Sequence, residues 1–144
     1  AVRLFLRAIE LDPEVALYHN QLGELLHHFR DTLLRSGHFT RDLLERQMLE
    51  AFGAAVRLAP EQMAFRLRWA EAHYDVRKPD WAAALEAFDG AMVYARSEAE
   101  RQAIILHRAR CLKELGRLDE ARSLAESVDD PRLQTSRSLI LRGL

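Results

Sequence analysis

Very little in this chain interrupts a helix. Its 144 residues include six Gly, four Pro and one Cys. Val, Ile and Thr are scarce and do not alternate with polar residues, so strands are not expected and almost the whole chain reads as helix. The lone Cys111 excludes an internal disulfide and leaves the compartment open. Long hydrophobic runs are missing too. The stretch Ala103–Leu106 is among the longest, far short of the roughly 18 residues a membrane helix needs, so no membrane insertion is expected. No basic segment followed by an apolar one occurs near residue 1, which says little about the parent protein; the localisation is left unknown, with the cytoplasm favoured. An excess of either charge is absent as well. Lys plus Arg number 21 against 22 for Asp plus Glu, and the signs are interspersed, which argues against a nucleic-acid partner. What is present, 49% apolar and 30% charged residues, suits one helical domain over 1–144.

The sequence repeats itself. Set on Pro13 and Pro60, "PEVALYHNQLGELLHH" lies over "PEQMAFRLRWAEAHYD" without a gap: Tyr18 meets Phe65, Leu22 meets Trp69, Gly23 meets Ala70 and Glu24 meets Glu71. The preceding segments match as Ala1, Phe5, Ala8 and Met48, Phe52, Ala55. A third copy carries Ala84, Phe88 and Ala91, and a fourth carries Gly116, Leu118, Ala121, Ala125 and Val128. Small residues at these points let helices approach closely, while Leu22, Trp69, Phe52 and Phe88 fill the space beside them. One helix pair cannot bury its apolar face alone, so neighbours must share a core.

This pattern resembles the tetratricopeptide repeat family, with "LGRLDEA" at 115–121 the most family-like stretch. The resemblance covers nearly the whole chain. It implies a right-handed superhelical solenoid of antiparallel helix pairs. Residues 1–13 become the second helix of a truncated repeat, 14–60 a repeat with an extended hairpin arm, 61–96 and 97–130 further repeats, and 131–144 a terminal or next-repeat helix. The chain thus reads as a fragment of a longer array.

The family period is about 34 residues. Phe52 to Phe88 is 36 and Phe88 to Ala125 is 37, but Phe5 to Phe52 is 47. The excess falls in "FRDTLLRSGHFTRDLLERQ", where Gly37 marks a helix end and Thr40 an N-cap, with Phe39 and Leu44 spaced as a hydrophobic staple. Two lengthened helices, 14–36 and 41–59, are expected, with Phe29, Leu33, Leu34, Leu43 and Leu44 closing the arm on itself or meeting a partner.

Signs of chemistry are weak. His28 lies one turn from Glu24, but a metal site needs three or four ligands and a supporting shell. His107 and Cys111 share a helix side as a Cys–His dyad would, yet no third member or oxyanion donor accompanies them. Phosphate-loop, nucleotide and nucleophile-elbow motifs are missing. No enzyme, metal or cofactor is therefore expected within these residues.

Recognition remains. The resemblance implies a concave groove for a protein or peptide partner, lined by Asn20, Glu24 and His27, then Leu67, Glu71 and Tyr74, then Leu106, Arg110 and Lys113. Its ends are acidic and basic, so a ligand with an apolar anchor and opposite charges at its ends would fit. The carboxylate-clamp mode of the family is not implied, because Glu24 stands where an amide would be needed. Two other readings fit the sequence: a helper domain attached to an enzyme such as a transferase, and a homo-oligomer formed through the 29–48 arm or the array ends.

Overall fold

A computed structural model describes residues 1–144. It is all-helical, with nine α-helices, one short 3-10 turn at Pro131–Leu133 and no strand. The helices are α1 (Val2–Leu11), α2 (Ala16–His28), α3 (Arg30–Arg35), α4 (Arg41–Leu58), α5 (Met63–Ala72), α6 (Trp81–Met92), α7 (Glu98–Glu114), α8 (Leu118–Glu126) and α9 (Gln134–Leu141). No helix is long and apolar enough to cross a membrane. The chain divides into two compact units, Ala1–Ala72 and His73–Leu144.

Local chemistry sets the helix ends. Thr40 accepts from the Leu43 amide at 3.2 Å, Asp80 from Ala83 at 2.9 Å and Ser97 from Glu100 at 3.1 Å, each satisfying a donor that the first turn leaves unpaired. Glu100 reaches back to the Arg96 amide at 2.6 Å, a close variant of the capping box. At the other end of α7, Gly116 takes φ +76°. Its amide bonds Lys113 O and the Arg117 amide bonds Leu112 O, so the turn closes as a Schellman motif that needs the left-handed residue.

The expected helix 14–36 is not one helix. Phe29, at φ −96° and ψ 17°, separates α2 from the six-residue α3. The break falls in the run His27-His28-Phe29, three weak helix formers in sequence. Arg30 there donates to His27 Nδ1 at 2.8 Å. Gly37 (φ +76°) and Thr40 do end α3 and start α4 as expected. Of the arm leucines, Leu44 is fully buried, Leu33, Leu34 and Leu43 are half-buried, and Phe29 remains exposed.

In the first unit α1 packs on α2, α2 on α4 and α4 on α5. The tightest point is Gly23. A β-carbon there would sit 2.7–2.8 Å from the Phe52 ring, so only glycine lets α2 lie this close to α4. The Arg68 guanidinium stands 4.5 Å from the centre of the same ring, and its Nε donates to Glu24 at 2.9 Å. One aromatic side chain thereby ties three helices.

In the second unit α7 is central, packing on α6, α8 and α9. Ala109, Ala121 and Ala125 are fully buried, their small side chains admitting close helix approach. Buried Gln102 holds the turn before α9, accepting from the Asp129 and Asp130 amides at 3.0 and 2.7 Å and donating to Asp129 Oδ1 at 2.6 Å. Lys113 donates to Ile140 O at 2.9 Å, placing a cation at the C-terminal end of α9, where the helix dipole favours it.

Candidate functional site

The residues expected to line a groove have divergent fates. In the first unit, Asn20 is buried with its Oδ1 unpaired. Glu24 is held by Arg68, and His27 by Arg30. Leu67 and Glu71 are half-buried on α5, and Glu71 is engaged within the protein. The acidic end of the expected groove thus has carboxylates already committed to internal contacts.

The second unit brings four of the expected residues into one neighbourhood. Tyr74 lies just ahead of α6 and stacks on Trp81, the first residue of that helix, at 4.9 Å between centroids and 20° between planes. Arg110, from α7, lays its guanidinium over this pair, 4.8 Å from Tyr74 and 5.5 Å from Trp81. Such a cation is attracted by the negative faces of the rings. Arg110 is exposed and is paired with no carboxylate or carbonyl, so its N–H donors are open to a ligand.

Arg110 also lines a cleft of about 370 Å³ between α7 and α9. Leu106 and Lys113 line it from α7, and Leu139 and Ile140 line it from α9. Leu139 is 58% exposed. The cleft is therefore apolar inside, with Arg110 and Lys113 as its cations and Glu114 as its one acid.

No family model and no curated protein matches the chain. The site must be read from its own geometry.

His107 lines the cleft as well, with its ring flat against Phe88 at 4.7 Å and 11°. Burial, reinforced by the charge of Arg110, lowers its pKa below the usual histidine range, so the ring is neutral at pH 7. Cys111 is fully buried. Burial pushes its thiol up to about 11, Arg110 offsetting only part of that. The pair lacks what a nucleophilic dyad needs, a thiolate within reach of solvent. No group of three or more His, Cys, Asp or Glu could share a metal ion.

Sequence reasoning named Tyr74, Leu106, Arg110 and Lys113 but missed Trp81, Leu139 and Ile140. Trp81 carried a usable signal. It follows the N-cap Asp80, only a short turn after Tyr74, and two aromatics flanking a turn are placed to meet. Residues 131–144 carried less, because their contacts with α7 are distant in sequence, Lys113 and Ile140 being 27 positions apart.

Proposed function

We propose that this chain is a non-catalytic protein-interaction scaffold of the tetratricopeptide repeat type, a right-handed solenoid of helix pairs. Its recognition surface is the cleft between α7 and α9 together with the Tyr74–Trp81–Arg110 platform. Of the small residues in the aligned pattern, Gly23, Ala55, Ala70, Ala84, Ala91, Ala121 and Ala125 are buried, Gly23 directly against Phe52, and this supports the repeat reading.

The observation that carries the function is Arg110. Its exposed guanidinium stands over two aromatic rings at the edge of an apolar cleft. Aromatic and arginine side chains in such settings are the usual hot spots of protein interfaces. The fitting ligand is a protein segment with a leucine-sized side chain for the cleft and a carboxylate for Arg110. This narrows the two-ended ligand expected from sequence, since Glu24 is occupied by Arg68.

Fluorescence anisotropy with a panel of labelled peptides, acidic and basic, with and without leucine, tests this reading. Acidic leucine-bearing peptides bind best. Tyr74→Ala weakens them more than Lys113→Ala does, because a desolvated aromatic contributes more than a rim charge. Binding that ignores both Tyr74 and Arg110 but is lost in Leu33→Asp moves the site to the arm.

A further inference from the structure

One stretch of this same chain has the chemistry the cleft lacks. Residues 10–14, Glu-Leu-Asp-Pro-Glu, hold three carboxylates and no cation around Leu11. Leu11 ends α1 and is 72% exposed, and Leu4 and Leu17 beside it in sequence are 75% and 51% exposed. Glu10 is paired with Arg7, while Asp12 and Glu14 are exposed in the turn before α2. Three large apolar side chains are thus left open within fourteen residues of α1 and the start of α2. Their acidic setting is opposite in sign to the cleft cations Arg110 and Lys113.

We propose that the cleft receives this segment from a second copy of the chain. Leu11 enters between Leu106 and Leu139, and the flanking carboxylates meet Arg110 and Lys113. The proposal rests on the cleft reading above and names its occupant. Two different surfaces meet in such a contact, so each copy still offers one of each, and growth can continue beyond two.

Sedimentation over a concentration series at low ionic strength tests it. The wild-type average mass rises with concentration and falls when salt is added, because the charges involved are exposed and easily screened. Leu11→Ser, Arg110→Glu and the double variant Asp12→Lys/Glu14→Lys each weaken association more than about tenfold, while circular dichroism confirms unchanged helicity at these exposed positions. The decisive arm is a mixture. Arg110→Glu keeps the acidic segment and Leu11→Ser keeps the cleft, while the serine-bearing acidic segment is repelled by the glutamate, so together they form a one-to-one dimer that grows no further. A wild type that stays monomeric, or variants that assemble as it does, overturns the proposal. A monomeric wild type that still captures acidic leucine-bearing peptides through Arg110 overturns the second-copy assignment alone. Loss of both overturns the cleft reading too.

Discussion

Each unit sets an arginine over an aromatic ring, and the two arginines are used in opposite ways. In residues 1–72, Arg68 stands 4.5 Å from the centre of Phe52, its side chain only 15% exposed and bonded to Glu24. In residues 73–144, Arg110 stands 4.8 Å from Tyr74 and opens to solvent without a carboxylate. The distance from cation to ring is nearly the same. What differs is whether the charge is consumed by the fold. An inward, paired guanidinium ties helices together and has little left for a ligand, whereas an outward one contributes little to folding and keeps its donors available. In the first unit the charge is engaged by the fold, and in the second it is left open, which is what the proposed site requires.

The comparison breaks most sharply at Gly23. Replacing it with alanine drives a β-carbon into the Phe52 ring, and the ring is flanked by Arg68. Gly23→Ala should therefore cost about 1–3 kcal/mol, the range for overpacking a tight contact, read as a lower midpoint in urea. Adding Phe52→Leu should return part of that loss. Unchanged stability in the single variant would mean that α2 and α4 are not held by this contact.

The next effect tests the tie in the second unit. Gln102→Leu removes the acceptor of the Asp129 and Asp130 amides, leaving two donors to find water. A loss of about 1–3 kcal/mol is expected, the penalty for stranded buried polar groups, along with faster amide exchange at residues 129–133. Binding to the Arg110 platform should survive, since Gln102 does not line the cleft.

These ties explain what was legible in the sequence and what was not. Helix ends were readable because their causes are local: Thr40 and Gly37 act within a few residues. The close contact of Gly23 was anticipated from the pairing of small with large residues. The break at Phe29 was missed because an apolar period continues through Leu33 and Leu34, and periodicity does not register one residue leaving helical ψ. The site was legible only in part. The family resemblance placed Glu24 and Arg110 alike among the groove-lining residues, but Arg68, forty-four positions beyond Glu24, decides that Glu24 is already engaged.

A smaller effect sharpens the contrast between the two arginines. Arg68→Met should lower stability by about 1 kcal/mol, combining loss of a partly exposed ion pair with loss of the ring contact, and should leave peptide binding intact. Arg110→Met should lower stability by only about 0.5 kcal/mol and abolish binding. Urea midpoints and anisotropy measured on the same two proteins give all four numbers. An Arg110→Met variant that loses stability as Arg68→Met does, yet still binds, would reverse the assignment.

The smallest expected effect concerns acid, and it bears on the second unit alone. His73 and His107 both lie there, and burial lowers the pKa of each; Arg110 adds to this at His107, while Asp80 and Glu86 partly oppose it at His73. The unfolded chain titrates near the ordinary histidine value of about 6.5. As pH falls through that value the unfolded state takes up protons that the folded state refuses, so stability drops with acid until the folded pKa values are passed. Substituting His107→Phe keeps an aromatic ring against Phe88 and removes one titrating group, so it should flatten the loss of stability below pH 6.5. Trp69→Phe leaves Trp81 as the only tryptophan, reporting on the second unit as the pH is lowered. If the His107→Phe protein loses stability in acid as steeply as the parent, the neutral ring is not what the folded second unit protects.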